Sequence, residues 1–491
     1  MNSRVIYHNG FFYNSPDYSK PEYSWILVQA GQVKDAGMEK PQLSGQKTVD
    51  LQRGHVYGAF CDNHLHLQET LFAKMFPNLD GVTELKHLIK ELQEEMTQPA
   101  TAEWIMAFNL ADRFRHSPEL LAELDRLRKP VILYFMDLHS GLLNKIALRK
   151  LDLPGKHGKI LSGEDFYKLQ QKFQEAFSFA ELKPAYISFL NELRKKGILF
   201  INSLEGFPGC SKNYITSYQK LIKQCESCVQ VLPMFQTFDG EKIMETGLKT
   251  IGGCILLDGS IGSHTAAIKS PYSDFAGSGS CYYKTNFLKK FIRNSTDGDL
   301  QTAFHAIGDR AVAQISKAYS SLDKKIVKKK RLRIEHAELI DNESLKRISQ
   351  NGICLSVQPQ FTELWGHPGG LYEKRLGSRR LKRMNNFKTL LKHGVYLAAG
   401  SDSPVTAIAP FQSIMACLFP PFPAQKLSLS QALKIHIETH HYFNFQENRF
   451  GRIKKGFRPA YNIFTAPIRL QKGGKIPELV GQITYRGLEV F

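Results

Sequence analysis

The feature that most constrains the fold of this chain is a series of eight short apolar segments separated by amphipathic stretches. Apolar segments of this length, alternating with helical patterns, are typical of buried strands in a parallel sheet. Eight such units predict a (β/α)8 barrel. The segments are 58–67, 197–206, 229–237, 253–260, 301–308, 331–339, 353–361 and 395–404.

Both ends of the chain are rich in strand-forming residues. The first 53 residues contain hairpin signals such as Asn9-Gly10, and the last 40 residues contain two further strand-like stretches. We therefore expect residues 1–53 and 452–491 to form one composite β-sandwich domain. The barrel is predicted over 54–67 plus 196–451.

A long interval separates the first two apolar segments. A structureless loop of that length is implausible, and the interval contains a helical pattern and the strand-like stretch at 129–148. We expect 68–195 to be an inserted α/β subdomain over the barrel mouth. The predicted fold class is thus α/β: a (β/α)8 barrel with a small β-sandwich and an insertion.

The composition is that of a soluble globular protein, with 42% hydrophobic and 23% charged residues among 491. No apolar run is long enough for a membrane span, and the first 25 residues do not resemble a signal peptide. Eight cysteines then indicate reduced thiols and a cytoplasmic location. Lys and Arg exceed Asp and Glu by 65 to 46, but the basic clusters are scattered, so a nucleic-acid partner is not favoured.

Residue types that bind metal ions stand at or near the ends of five of the predicted strands. The C-terminal ends of barrel strands converge on one face, where active sites form, and two histidines separated by one residue point to the same side of a strand. Nitrogen and carboxylate ligands from several strands suit zinc or another divalent first-row metal. The residues are His64, His66, Cys254, Asp258, His305, His336 and Asp402.

Several short motifs, in order along almost the whole chain, resemble those of the amidohydrolase superfamily. They are similar in particular to the amidohydrolase family 3 branch, which includes N-substituted formamide deformylases. The matching stretches are AFCDNHLHL (59–67), DLHSGLLNKIAL (137–148), DGSIGSHTA (258–266), HAIGDRAV (305–312), RIEHAEL (333–339), SVQP (356–359), KRLGSRR (374–380) and GSDSPV (400–405).

The resemblance implies a role for each matching position. His64, His66 and Asp402 would hold one metal ion, most simply zinc. His305 and His336 would hold a second ion or lie beside a single one. A bound metal activates water and polarises the scissile carbonyl, and Asp402 would carry the proton from that water to the leaving amine.

Further positions are expected to support the site. Asp62 faces the same way as His64 by strand alternation, so it either orients an imidazole or forms an ordinary buried hydrogen bond. The residues expected to contact substrate are His139, Asp258, Trp365 and His367.

The chain departs from the family pattern at two positions. Relatives often carry a metal-bridging carbamylated lysine where this sequence has Cys254. Three interpretations follow: a bridging Cys254 thiolate, a mononuclear site with Cys254 unliganded, or a site without catalytic activity. His264 stands where relatives often have arginine, which puts a substrate-anion contact there in doubt.

The resulting functional hypothesis is a metal-dependent amidohydrolase, with one or two ions, that cleaves an amide or formamide-like C–N bond of a small molecule. One alternative is a hydrolase of cyclic amides or esters. The other is an inactive barrel whose basic surface binds nucleic acid or a membrane. The cytoplasmic enzyme could form a homodimer.

Overall fold

The computed structural model describes residues 4–39, 41, 47–95, 104–135, 140–153, 155, 157–158, 160–162, 169, 179–206 and 209–491. The strands of these ranges are numbered here in chain order. They are β1 Arg4–His8, β2 Phe11–Tyr13, β3 Pro21–Tyr23, β4 Trp25–Gln29, β5 Gln32–Gly37, β6 Lys47–Asp50, β7 His55–Gly58, β8 Phe60–Leu65, β9 Ile105–Leu110, β10 Val131–Phe135, β11 Ser140–Leu143, β12 Leu161–Ser162, β13 Ile198–Glu205, β14 Gln230–Phe235, β15 Thr250–Ile251, β16 Gln301–Ala306, β17 Arg333–His336, β18 Cys354–Val357, β19 Leu397–Ala399, β20 Ala460–Phe464, β21 Leu479–Thr484 and β22 Gly487–Val490.

The α-helices are numbered in the same way. They are α1 Leu67–Met75, α2 Leu85–Glu95, α3 Pro118–Arg126, α4 Lys145–Lys150, α5 Phe179–Lys195, α6 Lys212–Gln224, α7 Gly240–Glu245, α8 Thr285–Asp297, α9 Asp309–Tyr319, α10 Lys324–Lys330, α11 Asn342–Asn351, α12 Pro359–Trp365, α13 Leu371–Leu376, α14 Ser378–Leu381, α15 Phe387–Lys392, α16 Pro410–Leu418, α17 Leu429–Ile437 and α18 Thr439–Phe443. None of the helices in the described ranges has both the length and the apolar character needed to span a bilayer.

The central sheet contains eight strands in the order β19-β18-β17-β16-β15-β14-β13-β8. Every paired neighbour in it is parallel. The last strand returns to the first near their C-terminal ends, where Asp402 N donates to His64 O at 2.7 Å and His66 N donates to Ser403 O at 2.9 Å. The predicted (β/α)8 barrel is confirmed.

The short helix α18 closes the N-terminal end of the barrel. Phe443 at its end packs with the buried Cys354 and Ala398 of two barrel strands, and the Arg333 guanidinium lies 5.4 Å from the Phe443 ring centroid. Because this end is filled by side chains, the C-terminal end is the one left for a site.

The fourth barrel strand is shorter and earlier than the sequence predicts. Strand β15 comprises only Thr250–Ile251, and the predicted segment 253–260 follows it as irregular chain with one isolated bridge, from Leu256 to His305. Gly252 and Gly253 have φ of 100° and 75°. Two consecutive residues with positive φ end an extended strand. Cys254 and Asp258 therefore lie in the loop after the strand and not within it.

The two ends of the chain form two sheets outside the barrel. One has the order β5-β4-β1-β6, and the other has the order β22-β21-β20-β7-β2-β3. Their facing side chains make one apolar cluster that includes Phe12 and Ile26 from the N-terminal part and Ile463 and Ile483 from the C-terminal part. Strand β7 leads directly into barrel strand β8, so the second sheet is joined to the first barrel strand.

The long interval between β8 and β13 contains a further sheet in the order β12-β11-β10-β9. Its core includes Leu88, Leu120, Val131 and Leu133, contributed by α2, α3 and β10. The helices at the ends of the interval, α1 and α5, pack on barrel strand β13. The domain limits at 53, 68, 195 and 452 stay predictions.

Candidate metal centre

Two histidines converge on one carboxylate oxygen of an aspartate at the C-terminal end of the barrel. His64 Nε2 lies 3.0 Å from Asp402 Oδ1, and His66 Nε2 lies 3.3 Å from the same oxygen. His64 and His66 stand at the end of β8, and Asp402 follows β19, the neighbouring strand. These three side chains are buried.

The other ring nitrogen of each histidine is held by an atom that can only accept hydrogen bonds. His64 Nδ1 lies 2.7 Å from Glu335 Oε2, and His66 Nδ1 lies 3.0 Å from the Leu204 carbonyl oxygen. Each Nδ1 therefore carries the hydrogen, and in the neutral ring each Nε2 presents its lone pair. A hydrogen bond from the outer ring nitrogen to an acceptor fixes the tautomer and orientation of a metal-binding histidine.

Two imidazole nitrogens thus face one carboxylate oxygen at 3.0 and 3.3 Å, which is repulsive between electron-pair donors unless a cation or protons lie between them. Burial by itself lowers the pKa of His64 and His66, but Asp402 near His64, and Glu69 with Asp402 near His66, raise both well above the usual value. His64 Nε2 is also a buried atom without a well-formed hydrogen bond among the described residues.

Cys254 brings a second group of possible ligands to the same place. Its Sγ lies 3.7 Å from His305 Nδ1 and 3.8 Å from His336 Nε2. Ligand atoms of Cys254, His64 and His336 lie within 4.8 Å of one another. Although burial raises the pKa of the Cys254 thiol, the surrounding imidazoles, His305 and His336 first, hold it well below its usual range.

The rings of His305 and His336 are oriented differently. His305 Nε2 lies 3.2 Å from the Gly259 carbonyl oxygen and 3.6 Å from Asp258 Oδ1, so its Nδ1 is the nitrogen free to bind a cation. His336 has φ of 70°, and its Nδ1 is a buried atom with no hydrogen-bond partner among the described residues. This donor set of imidazole nitrogens, one carboxylate and one thiol fits zinc.

Glu335 is the functional residue that the sequence analysis missed. It is fully buried, and its Oε1 accepts a hydrogen bond of 2.9 Å from Arg333. Arg333 and Glu335 are two residues apart on β17, so their side chains point to the same face of the strand. This spacing can be read from the segment Arg-Ile-Glu-His. A buried arginine and a buried glutamate two residues apart on a strand indicate a pair.

The carboxylates of two expected site residues, Asp62 and Asp258, accept hydrogen bonds from backbone N–H groups. Asp62 Oδ1 accepts from His64 N at 3.2 Å and from Ser401 N at 2.9 Å. The Asp258 carboxylate accepts from Ala267 N, Ile307 N and Gly308 N at 2.8–3.0 Å. Burial raises the pKa of each to about 6. Both carboxylates hold strand ends and loops in place around the histidines.

The aromatic residues beside the site form a short row. The Phe361 ring stacks against His336 with centroids 6.1 Å apart, and Trp365 lies 4.8 Å from Phe361 in turn. Trp365 is therefore separated from the histidines by Phe361. His367 is exposed and its Nδ1 lies near the Pro368 carbonyl oxygen. His139 lies outside the described residues.

His264, at the position where an arginine was expected from the resemblance, is part of a loop contact. Its Nε2 lies 2.9 Å from Asp274 Oδ1, and Arg375 binds the other oxygen of Asp274. Arg375 also donates to the Gly262 carbonyl oxygen at 3.0 Å. These contacts tie the loop after β15 to α13.

Comparison with protein families and known proteins agrees with this architecture. Residues 47–472 match the family model described as "Amidohydrolase family". The chain is 24% identical over 506 aligned positions to the Bacillus subtilis (strain 168) protein YtcJ, covering 94% of each chain. It is 25% identical over 502 positions to the Arabidopsis thaliana protein LONG AFTER FAR-RED 3, covering 92% of this chain and 85% of that protein.

Two solved structures share the fold over nearly the whole chain. One is an uncharacterised metal-dependent hydrolase from Pyrococcus horikoshii OT3, with a TM-score of 0.81, 23% identity and coverage of 96% of this chain and 100% of that one. The other is an uncharacterised metal-dependent hydrolase from Pyrococcus furiosus, with a TM-score of 0.78, 22% identity and coverage of 95% and 100%.

Proposed function

Because this chain belongs to the amidohydrolase family, and is thus a metal-dependent hydrolase, we propose that it cleaves a carbon–nitrogen bond of a small amide or formamide. The N-substituted formamide deformylases are the branch that the sequence motifs favour. The proposed cofactor is zinc, bound by His64, His66 and Asp402 with Cys254, His305 and His336 around it.

The observation that carries this proposal is the convergence of His64 Nε2 and His66 Nε2 on one oxygen of Asp402. Their outer nitrogens are both occupied by acceptors, so the inner nitrogens have lone pairs to offer a cation. Buried imidazole and carboxylate groups in this arrangement are suited to a divalent first-row metal. When bound, such an ion lowers the pKa of water and polarises the scissile carbonyl.

Asp402 is the proposed proton carrier. Burial raises its pKa, but His64 and His66 hold it well below the usual range of a carboxyl, which keeps Asp402 in the carboxylate form that a proton acceptor requires. In the proposed reaction Asp402 takes the proton from the attacking water and gives it to the leaving amine nitrogen.

Cys254 is the proposed thiolate ligand that replaces the bridging lysine of relatives. The distances from its sulfur to His305 and His336 are longer than a metal–ligand bond but permit a shared ion between them. If Cys254 does not bind metal, the five remaining ligands would surround a single ion. A cytoplasmic location and a homodimer stay predictions, the former supported by eight free cysteines.

The proposal is tested by zinc content and by turnover of three probes: N-benzylformamide, the cyclic amide dihydrouracil and the ester phenyl acetate. Purified enzyme should carry one or two zinc ions and hydrolyse the formamide. The variant His64→Ala/His66→Ala should stay folded but lose metal and activity. Asp402→Asn should lose about 10²–10⁴ in rate because its amide cannot accept the proton.

The matched control is His87→Ala/His393→Ala, which removes two exposed histidines and should leave zinc content and rate unchanged. Full zinc retention in the His64→Ala/His66→Ala variant would contradict the proposed metal centre. Faster turnover of dihydrouracil or phenyl acetate than of the formamide would replace the substrate class with cyclic amides or esters. Asp402→Asn activity within about tenfold of wild type would exclude the proton carrier.

A further inference from the structure

Gln358 is a buried glutamine whose side-chain amide has no hydrogen-bond partner among the described residues. The residue is 2% exposed, and both Oε1 and Nε2 are without a partner. It stands directly before α12 but does not cap that helix. An unpaired buried amide costs free energy, and such groups are rare in folded proteins.

The backbone directs the Gln358 side chain into the barrel. Along β18, Cys354 packs on Phe443 at the closed end, and the Ser356 hydroxyl accepts from Asn63 Nδ2 at 2.9 Å inside the barrel. Gln358 continues the alternation with extended φ and ψ of −116° and 90°. It therefore faces the barrel interior one level nearer to the C-terminal end.

The proposed metal ligands lie at the same height along the barrel as Gln358. Gln358 lies across from Gly400, because the pairing of Val357 with Ala399 fixes the register, and a Cβ on Gly400 would lie 2.5 Å from His64 N. On the other side, Phe361 in the first turn after Gln358 stacks on His336. The neighbours of Gln358 thus contact both groups of ligands, His64 on one side and His336 on the other.

We propose that Gln358 binds the substrate through its amide, donating from Nε2 to a carbonyl and accepting at Oε1 from an N–H. This inference rests on the proposed function and deepens it, because it assigns the substrate a neutral amide-type group with both a donor and an acceptor. A glutamine amide is neutral and offers an anionic group no opposite charge. Arg333 at the start of β17 is already paired with Glu335, and Arg375 is paired with Asp274.

The experiment compares Gln358→Met with the control Gln360→Met in the zinc-loaded, full-length protein. Gln360 is in the first turn of α12, two residues after Gln358, and is similarly buried, but its Nε2 donates to the Ala407 carbonyl oxygen at 2.8 Å. Met is unbranched and of similar length in both cases. The readouts are the melting temperature without ligand and the dissociation constant of acetohydroxamate, a small zinc-binding amide analogue with C=O and N–H groups.

Gln358→Met should melt at the same temperature as wild type or higher, because replacing an unpaired buried amide by an apolar chain relieves its cost. Gln360→Met should melt lower, because it leaves a carbonyl unpaired. Acetohydroxamate should bind Gln358→Met about tenfold more weakly, as expected for the loss of one or two hydrogen bonds. Its affinity for Gln360→Met should stay within about twofold of wild type, since that helix position is not proposed to contact ligand.

A lower melting temperature, or failure to fold, in Gln358→Met would overturn the inference, because it would show that the amide has a structural role. Unchanged hydroxamate affinity in that variant would also overturn it while leaving the metal centre intact. If hydroxamate does not bind zinc-loaded wild type at all, the proposed function fails and this inference fails with it.

Discussion

The outer contacts of the histidines decide what the site can bind. Glu335 fixes the His64 ring from behind, and Arg333 holds Glu335 in turn. With Nδ1 donating to a carboxylate, the His64 Nε2 lone pair is directed at the position shared with Asp402. Burial raises the pKa of Glu335, but Arg333 and His64 bring it below its usual value, so Glu335 keeps its charge.

Glu335→Gln should therefore weaken zinc binding by about 10–100-fold, the usual effect of removing a group that orients a metal-binding histidine. The measurement is competition with a chromophoric chelator. Glu447→Gln is the matched control, because Glu447 also pairs with an arginine, Arg331 at 2.6 Å, away from the proposed ligands. Equal zinc affinities of the two variants would show that Glu335 does not orient a ligand.

The titration of the same histidines predicts how metal affinity depends on pH. In the metal-free protein, despite the opposing effect of burial, Asp402 and, for His66, Glu69 raise the pKa values of His64 and His66 above the usual value, so protons compete with a metal ion for the two Nε2 atoms. A metal ion must displace these protons, and its apparent affinity should rise with pH, by up to about tenfold per unit for each proton displaced. Chelator competition between pH 6 and 8 measures the slope, and a flat profile would contradict the assignment.

At the level of secondary-structure elements, the irregular chain after β15 positions Cys254 and contacts His305 on β16. Gly252 and Gly253 turn the chain out of the strand, and Cys254 follows immediately. The loop then returns to β16 through backbone hydrogen bonds between Leu257 N and His305 O and between His305 N and Ile255 O. These two bonds are the pattern of a parallel bridge between Leu256 and His305, so the irregular chain still pairs with β16 at one point.

Gly252→Ala should destabilise the protein by more than about 2 kcal/mol, because strain at positive φ adds to a steric clash. A Cβ at this position would lie 2.2 Å from the Ala303 carbonyl oxygen. Gly247→Ala is the control, since Gly247 also has positive φ, 76°, but no atom within 4 Å of the added Cβ. Urea unfolding measures both, and equal losses would show that the clash is absorbed.

At the scale of the whole molecule, the terminal sheets are attached to the barrel by buried polar contacts as well as by the chain. Asn462 on β20 donates to the Gly197 carbonyl oxygen, which precedes β13, at 2.8 Å. Its Oδ1 accepts from Gln482 Nε2, also at 2.8 Å. Asn462 and Gln482 are fully buried, so the C-terminal strands support the start of the second barrel strand.

Asn462→Ala should lower the free energy of unfolding by roughly 1–3 kcal/mol, because it removes two buried hydrogen bonds, although the Gly197 carbonyl oxygen still accepts from Phe60 N and Gln482 Nε2 still donates to the Arg194 carbonyl oxygen. Urea denaturation measures the loss. Zinc content is the internal control and should be unchanged, because the site lies at the opposite ends of the strands. Loss of zinc in the folded variant would show that the contact acts on the metal centre.

The sequence by itself determined the architecture, because the alternation of apolar segments and helices leaves a parallel barrel as the arrangement that buries eight such strands. It also placed His64, His66 and Asp402 at strand ends, since strand ends of a barrel meet on one face. Only the tertiary structure decided the contacts across strands. Which residue Glu335 contacts, the backbone partners of Asp62 and the unpaired amide of Gln358 depend on the register between strands. The place of Asp258 depends on the two glycines that end β15. Neither is specified by a local pattern.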